Sequence, residues 1–320
     1  MSQLEIKHLK KYFPVVGGML HAVDDVSFSI EKGQTMGIVG ESGCGKSTLG
    51  KTVLRLTEPT SGEIWFEGKE VGHMSARKFK DVRPQMQMIF QDPFSSLDPR
   101  MSVSQLIMEP LIIYKVTKDK DELKRRVAEL MDTAGLASRF ADTYPHELDG
   151  GRRQRVGIAR ALALEPKFIV CDEPVSALDV SIQAQVLNLL QDLQKEMDLT
   201  YMFITHDLSV VRHISNNICV MYLGQVVEQS ESKELFKRTL HPYSKALLSS
   251  IPVPRLENRP ERILLRGELT SPVNPKKACR FAPRCIYAED RCFQEEPKLE
   301  DVCNGHCVAC HKVREINDLP

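Results

Sequence analysis

Short apolar runs separated by glycines and charged turns fill the chain from Leu4 to Gly68. The runs LEIKHL, HAVDDVSFSI, TMGIVG and GEIWFEG have the length and composition of strands. Between about Asp98 and Leu164 the apolar residues recur at helical spacing, as in SVSQLIMEPL and DELKRRVAELMDTAGL. The pattern predicts a strand-rich amino-terminal part and then a mostly helical subdomain, which we place at residues 95–164.

Buried strands are predicted again after the helical stretch. KFIVCD (167–172), TYMFITHD (200–207) and NICVMYLG (217–224) are apolar runs of strand length. The first two enclose AQVLNLLQDLQKEM, which has the spacing of a helix. Strands that alternate with helices are typical of an α/β fold with a parallel sheet and crossover helices.

Composition changes after Leu248, where the stretches SSIPVPRLENRPE and LTSPVNPKK carry repeated prolines. Prolines interrupt regular structure and favour an extended connector. The residues from Lys276 onward contain few branched apolar side chains, so the tail needs a staple in place of an independent core. We therefore predict a main domain at 1–250, and a proline-rich linker with a cysteine-rich extension at 251–320.

Charge and hydropathy restrict the classes of function. Of the 320 residues, 43 are Lys or Arg and 43 are Asp or Glu, so the chain lacks the basic excess of a nucleic-acid binder. No run approaches the roughly 20 apolar residues that cross a bilayer, and the start MSQLEIKHLKKYF is unlike a signal peptide. We expect a cytoplasmic protein that reaches a membrane through a partner and binds no nucleic acid.

A phosphate-binding loop is the strongest motif in the sequence. GESGCGKST, from Gly40 to Thr48, matches GxxxxGKS/T between the predicted strand TMGIVG and the helical LGKTVLRL. In such a loop backbone N–H groups face the β-phosphate, Lys46 bridges the β and γ oxygens, and the Ser47 hydroxyl binds Mg²⁺. The predicted ATP-binding residues here are Gly40, Ser42, Gly43, Cys44, Gly45, Lys46, Ser47 and Thr48.

Two acidic residues end the strand FIVCDEP. A carboxylate is costly at the end of a buried strand unless it manages a cation or a proton. Asp172 would hold Mg²⁺ through water, and Glu173 would polarise the water that attacks the γ-phosphate. The alternative interpretation is a plain acidic strand end, which the upstream phosphate loop disfavours.

Six motifs in order resemble the nucleotide-binding domains of ABC transporters over roughly residues 1–250. They are GESGCGKST, FQDP, HELDGGRRQR, FIVCDEP, SALD and ITHD. The resemblance implies a P-loop NTPase fold of the ABC type, with an antiparallel β subdomain, a helical subdomain and a small cysteine-rich extension. It also implies ATP hydrolysis with Mg²⁺.

The resemblance implies an adenine contact and three further roles. Tyr12 would stack on adenine, and Phe13 is the alternative residue for that contact. The alternative interpretation of Tyr12 is an ordinary aromatic residue at a strand edge. Gln91 would touch Mg²⁺ or the water, and His206, which could otherwise be structural, would contact the γ-phosphate. Asp179 of SALD would reach across a dimer interface.

Such domains work as head-to-tail dimers, with each ATP held between one chain's phosphate loop and the other chain's signature segment. The chain has one set of motifs, so a second ATPase must come from another polypeptide or a second copy. The resemblance further implies two membrane-spanning permease subunits, an extracytoplasmic substrate-binding protein, and a peripheral position on the cytoplasmic face of the cell membrane.

The signature segment departs from the family pattern, because LDGGR stands at Leu148–Arg152 where LSGGQ is usual. Asp149, Gly150 and Gly151 would face the partner's γ-phosphate, and two like charges about 4 Å apart repel by roughly 4 kcal/mol at an effective dielectric near 20. We hypothesise that this site hydrolyses ATP poorly and that the partner is a different, related ATPase. The alternative is that Asp149 points away from phosphate.

Six of the nine cysteines lie in the last 42 residues. HPYSKALLSSIP, CRFAPRCIYAEDRC and GHCVACH resemble the carboxy-terminal extension of the oligopeptide and dipeptide importer ATPases. The resemblance implies a 4Fe–4S cluster held by Cys279, Cys285, Cys292 and Cys310. Cys303 and Cys307 lie outside that pattern.

Two alternatives remain for the tail. Cys307 with Cys310 forms a CxxC pair flanked by His306 and His311, which is also a possible Zn²⁺ site. Thiols without a metal are the second alternative.

The sequence therefore predicts the ATPase subunit of a peptide importer. The alternatives are an importer ATPase for a metal chelate or a glutathione-like compound, a soluble ABC ATPase of translation or repair, and an iron–sulfur redox sensor with a vestigial nucleotide site. The intact Lys46, Glu173 and His206 disfavour the last of these.

Overall fold

The computed structural model describes residues 2–92, 96–251, 262–265, 267 and 271–319. Most of the predicted connector SSIPVPRLENRPE and Pro93 of FQDP lie outside the described residues. In chain order the strands are β1 (Ser2–Val15), β2 (Gly18–Glu31), β3 (Thr35–Val39), β4 (Ser61–Phe66), β5 (Lys69–Glu70), β6 (Met86–Ile89), β7 (Phe168–Asp172), β8 (Thr200–Thr205), β9 (Asn217–Tyr222), β10 (Gln225–Glu231), β11 (Glu300–Cys303) and β12 (His306–Val308).

The α-helices follow the same order along the chain. They are α1 (Lys46–Val53), α2 (Ala76–Phe79), α3 (Val103–Ile113), α4 (Lys120–Thr133), α5 (Gly150–Leu162), α6 (Val180–Met197), α7 (Leu208–Ile214), α8 (Ser232–Lys237), α9 (Pro242–Ser249), α10 (Asp290–Gln294) and α11 (Val313–Ile316). No helix in the described part of the chain combines the length and apolar character that crossing a bilayer requires.

The chain folds into two compact units. The phosphate-loop unit contains residues 2–30, 34–73 and 203–320, and the helical unit contains 31–33 and 74–202. The predicted helices of the 95–164 subdomain, α3, α4 and α5, all lie in the helical unit. The predicted boundary near residue 250 divides the chain differently and stays a prediction.

A sheet ordered β2-β1-β4-β5 forms one part of the phosphate-loop unit. β1 and β4 are antiparallel, with Leu4 opposite Phe66 and Ile6 opposite Ile64. All four side chains are buried. Because successive side chains of a strand point to opposite faces, these apolar residues form one packed face of the sheet. The strand-rich amino-terminal part is thus confirmed.

A second group of strands in this unit combines parallel and antiparallel pairs. β3 and β9 are parallel, with Ile38 opposite Cys219. β9, β10, β12 and β11 then pair antiparallel in that order. Every residue of β3 is buried, as expected for a strand covered on both faces. The hydrophobic pattern does not predict β10, β11 or β12.

The cysteine-rich tail belongs to the phosphate-loop unit. Phe281 is 2% exposed and shares a hydrophobic cluster with Val39, Tyr222 and Tyr243. Val39 is the last residue of the strand that leads into the phosphate loop. The tail, which has too few apolar residues for a core of its own, therefore shares the core of the ATP-binding motif.

The helical unit contains a parallel strand pair and a helical core. β6 and β7 are parallel, with Ile89 opposite Cys171. Helices α3, α4 and α5 bury a common cluster that includes Val103, Val127 and Val156. The predicted helical subdomain and parallel strand pairing are confirmed, but the short strand β6 is missed by the hydrophobic pattern.

Candidate functional site

The phosphate loop connects β3 to α1, and glycine is required at two of its positions. Gly40 and Gly45 have φ angles of 154° and 104°. A Cβ at Gly45 would lie 2.0 Å from the carbonyl oxygen of Ala22, and one at Gly40 would lie 2.2 Å from that of Met221. The loop is therefore packed closely on neighbouring backbone, which larger residues would prevent.

Lys46 is a buried cation inside this loop, with 4% of its surface exposed. Its Nζ donates to the carbonyl oxygens of Gly40 at 2.8 Å and of Glu41 at 3.0 Å. A buried ammonium is costly unless it is hydrogen-bonded. The loop therefore positions this positive charge within its own curve, where the motif requires it.

The other predicted loop residues differ in exposure. Ser42 and Gly43 are exposed, while Ser47 and Thr48, at the start of α1, are half-buried. Cys44 is buried, and burial raises the pKa of its thiol. The Cys44 side chain is thus a neutral packing group in the loop.

Tyr12 is held by a polar network that Phe13 lacks. Its ring stacks on His21 with the centroids 3.8 Å apart and the planes at 20°. The Tyr12 hydroxyl donates to Asp24, and His21 Nδ1 lies 3.0 Å from the other Asp24 oxygen. Phe13 instead has the Lys11 Nζ 4.7 Å from its ring centre. The Tyr12 side chain is therefore fixed by more polar contacts than that of Phe13.

His206 is exposed directly after β8. The next residue, Asp207, begins α7 by accepting the Ser209 N–H at 2.8 Å. This cap fixes the point where the chain leaves the strand and so sets the position of His206. His206, Tyr12 and the phosphate loop all belong to the phosphate-loop unit.

The helical unit brings Gln91 and Glu173 together. Gln91 Nε2 donates to Glu173 Oε2 at 3.1 Å. The register of the strands explains the contact, because Ile89 lies opposite Cys171 and each polar residue follows two positions later. Gln91 and Glu173 therefore leave neighbouring parallel strands at the same edge.

Asp172 and Glu173 have different environments at the end of β7. Asp172 is 3% exposed, and Glu173 is half-buried. Glu173 has a φ of 45°, a left-handed conformation that is uncommon outside glycine. Such conformations persist where surrounding structure enforces them and cluster at active sites, which fits the predicted role of Glu173.

The signature segment caps the helix that it begins. Asp149 Oδ1 accepts the Arg152 N–H at 2.8 Å, and its Oδ2 lies 2.6 Å from Arg152 Nη1. A Cβ at Gly151 would lie 2.6 Å from Cγ2 of Ile182 in α6, so the helix start packs closely on α6. Asp179 is exposed at the start of α6. Both Asp149 and Asp179 are thus accessible to a partner.

The four predicted cluster cysteines line a single cavity in the tail. Cys279, Cys285, Cys292 and Cys310 all line it, together with Phe281 and His311. Burial raises the pKa of Cys279 to about 12 and that of Cys310 to about 11. The cavity thus gathers four thiols from three separate segments of the tail.

The rival zinc ligands are gathered only in part, because Cys310 and His311 line this cavity. Cys307 and His306 do not line the cavity, and His306 Nε2 is instead bonded to the buried Glu228 at 2.8 Å. Among the described residues, no group of three or more His, Cys, Asp or Glu could hold a single metal ion. Thiolates of a four-iron cluster each bind a different iron, so they stand farther apart than four ligands of one zinc ion.

Sequence reasoning missed a set of charged residues around the loop. Glu41 is the second residue of the phosphate loop, and Arg284 of the tail binds its carboxylate through two contacts, of 2.7 and 3.2 Å. Arg280 forms an ion pair with Asp24. The segment CRFAPRC places both arginines between two cysteines, but no periodicity in the sequence shows which carboxylates they meet.

Comparison with protein families matches two parts of the chain. Residues 23–176 match the family model described as ABC transporter. Residues 227–292 match the model described as the carboxy-terminal region of oligopeptide/dipeptide transporters.

Curated relatives match nearly the whole chain. An oligopeptide transport ATP-binding protein of Bacillus subtilis is 52% identical over 318 residues, covering 96% of each chain. One of Haemophilus influenzae, with the same description, is 50% identical over 311 residues, covering 97% of this chain and 94% of the relative.

Solved structures match the larger part of the fold. A dimeric ATP-binding cassette in a post-hydrolysis state with ADP and Pi is 30% identical, with a TM-score of 0.66, and covers 72% of this chain and 98% of that one. A subunit of an ABC transporter complex from Clostridium perfringens gives the same identity and TM-score and covers 74% of this chain and 91% of that one.

Proposed function

Since the chain belongs to the ABC transporter family, we propose that it is the subunit that hydrolyses ATP to drive the import of peptides. The observation that carries the ATPase proposal is Lys46, a buried ammonium that the glycine loop holds through two carbonyl oxygens. Peptide cargo is supported by the match at residues 227–292 and by the two relatives named oligopeptide transport ATP-binding proteins. The same match disfavours an ABC ATPase of translation or repair.

We infer the roles of the site residues from the family motifs in which they lie. Lys46 and the loop amides bind the β- and γ-phosphates, and Tyr12 stacks on adenine. Glu173 orients and polarises the attacking water, with its carboxylate steadied by the Gln91 amide. His206 contacts the γ-phosphate. Bound Mg²⁺ would neutralise phosphate charge, and Ser47 and Gln91 would hold it, with Asp172 acting through water.

The partners follow from the same proposal. Two permease subunits would span the membrane, and an extracytoplasmic binding protein would deliver the peptide. The chain would then sit peripherally on the cytoplasmic face of the cell membrane. Asp149 in the signature supports a second, related ATPase as the dimer partner, because two copies of this chain would carry two altered signatures.

For the tail we propose a 4Fe–4S cluster on Cys279, Cys285, Cys292 and Cys310. The support is that all four line one cavity while the rival Cys307 and His306 do not. When bound, a cluster supplies four iron–sulfur bonds, which cross-link the separate segments. Its place in the tail favours a structural or sensing role over catalysis.

The ATPase proposal is tested with Glu173→Gln and Lys46→Ala in the transporter assembled with its partners. Glu173→Gln should keep ATP binding and lower phosphate release by about 100-fold or more, because the water loses its polarising carboxylate. Lys46→Ala should abolish ATP binding. Glu129→Gln is the matched control, since Glu129 is exposed on α4 and pairs with Arg125. Normal hydrolysis by Glu173→Gln would refute the proposal.

Peptide cargo has its own test. The assembled transporter in proteoliposomes should take up labelled peptides with ATP and should fail to do so with Glu173→Gln. Mass spectrometry of compounds bound to the co-purified binding protein should identify peptides. A metal chelate or glutathione in their place would replace the peptide proposal but leave the ATPase intact.

A further inference from the structure

Arg284 binds the phosphate loop from the far end of the chain. Its Nη1 and Nη2 lie 2.7 and 3.2 Å from the two carboxylate oxygens of Glu41. The Arg284 side chain is 10% exposed and that of Glu41 is 29% exposed. A two-point pair of this kind is geometrically specific and stronger than a single contact.

The backbone of the same loop residue is also fixed. The Glu41 N–H donates to the Tyr243 hydroxyl at 2.8 Å. Tyr243 is fully buried, and its ring packs on Tyr222 and on Phe281 of the tail. The loop is therefore held at Glu41 through both its side chain and its backbone, and both contacts lead to the tail.

Arg280 contacts the residues that hold the Tyr12 ring. It donates to the Leu223 carbonyl and forms an ion pair with Asp24, which is 12% exposed at its side chain. Asp24 in turn accepts from the Tyr12 hydroxyl. Burial raises the pKa of Asp24. The hydrogen bonds from Tyr12 and His21 and the charge of Arg280 lower it by more, so the pKa lies below its usual value and the carboxylate stays ionised.

The strand with Asp24 is bonded to the loop through the turn between β9 and β10. The Asp24 N–H donates to the Gly224 carbonyl at 2.8 Å, and the Gly224 N–H donates to the Cys44 carbonyl at 2.8 Å. These backbone hydrogen bonds hold the strand to the phosphate loop and do not involve the Arg280 side chain. Both arginines lie between Cys279 and Cys285. One short segment therefore contacts both Asp24, which holds Tyr12, and the phosphate loop.

We propose that Arg280 and Arg284 are positioning residues of the ATP site, through which the tail sets nucleotide affinity. Arg284 neutralises Glu41, whose charge would otherwise repel the phosphates, and Arg280 holds Asp24 and thereby the Tyr12 ring. This inference rests on the proposed ATPase function, because it takes Gly40–Thr48 as the nucleotide site.

The two arginines are expected to act on different parts of the nucleotide. Loss of Arg284 should weaken binding more as the phosphate charge increases, since it exposes a like charge. Loss of Arg280 should weaken the binding of ATP and of ADP by the same factor, because both nucleotides carry the adenine base. It should leave inorganic tripolyphosphate unaffected.

Calorimetric titration of the purified full chain with ATP, ADP and tripolyphosphate tests these expectations. Arg284→Ala should bind ATP about tenfold more weakly, a change of about 1.4 kcal/mol. The affinity of the same variant for ADP should fall by a smaller factor. The double variant Arg284→Ala with Glu41→Gln should recover most of the loss, because the uncompensated charge is gone. Arg284→Lys should fall between wild type and Arg284→Ala, because it keeps the charge but loses the two-point contact.

Arg291→Ala is the matched control. Arg291 lies in the same tail and pairs with Glu295, but both side chains are more than half exposed. It should bind all three probes like wild type. Circular dichroism checks the fold, and if Arg284→Ala unfolds, the lysine variant and the double variant carry the test.

Three results would overturn the inference. They are wild-type ATP affinity in Arg284→Ala, no recovery in the double variant, and equal losses for ATP and tripolyphosphate in Arg280→Ala. Wild-type chain that bound no ATP would instead refute the proposed function, so the two failures are distinguishable.

Discussion

The phosphate loop and the signature segment are both glycine-rich turns that open a helix, and each carries one carboxylate. In the signature, Asp149 is paired with Arg152, three residues away, and the two side chains are 56% and 45% exposed. In the phosphate loop, Glu41 is paired with Arg284, 243 residues away, and the pair is largely buried. The charge of the signature is thus balanced by local sequence, and that of the loop by the tail.

This difference changes how the tail is understood. A helix-start carboxylate paired with its own helix needs no other part of the chain, and exposed pairs contribute about 0–1 kcal/mol. The loop carboxylate depends on a distant segment and on the packing that holds it. The tail is therefore part of the structure that surrounds the phosphate loop.

Removing the tail's core side chain should have the largest effect. Phe281→Ala should lower the free energy of unfolding by about 3–5 kcal/mol, the usual cost for a buried phenylalanine. Urea unfolding of the full chain measures it. Phe293→Ala in the same tail is the control, because Phe293 is 54% exposed and should cost under about 0.5 kcal/mol. Equal stabilities of the two variants would mean that the tail is not part of the loop's core.

Removing one of the four cysteines that line the tail cavity should have an intermediate effect. We expect anaerobically purified chain to absorb at about 400 nm, as iron–sulfur thiolates do, and Cys279→Ser to lose this absorbance. ATP affinity should fall about tenfold, as for Arg284→Ala, a change of about 1.4 kcal/mol, because the segment with both arginines is released. The measurements are absorbance, iron content and ATP titration.

Cys303→Ser is the matched control for this variant. Cys303 is exposed and does not line the cavity. It should therefore keep both the absorbance and the affinity. A colourless wild-type chain that contains zinc would refute the proposed iron–sulfur cluster. Unchanged ATP affinity in Cys279→Ser would show that the tail metal does not affect the ATP site.

The sequence predicts the loop because its determinants are contiguous. Gly40, Gly45 and Lys46 lie within seven residues, and the strand and helix around them follow from short-range patterns. The contact between Gln91 and Glu173 is harder to predict, because it depends on the parallel register of β6 and β7. Strand β6 is too short to be recognised from the sequence. Their roles came from the family resemblance.

The tail contacts were not predictable from the sequence. Burial of Phe281 beside Val39 and the pairing of β12 with β10 join residues more than 70 positions apart. Hydrophobic periodicity indicates that an element has a buried face, but not what covers it. The absence of a tail core was predicted, whereas the shared core that replaces it was not.

Changing the signature carboxylate should have the smallest effect. Asp149→Ser should raise ATP turnover of the assembled transporter about two- to fivefold, or about 0.4–1 kcal/mol in the barrier. The expected gain is small because Arg152 already balances part of the charge and the pair faces solvent. Serine caps a helix as well as aspartate does, so the stability of α5 should not change.

Two further measurements make this result specific to charge. Asp149→Asn also keeps the cap and should give the same rise, and ATP affinity of the isolated chain should stay at the wild-type value, because the proposed role of Asp149 concerns the partner's ATP. Unchanged turnover in both variants would show that Asp149 is harmless to hydrolysis. The main reason to prefer a second, different ATPase over a homodimer would then be lost, while the pairing of Glu41 with the tail would be untouched.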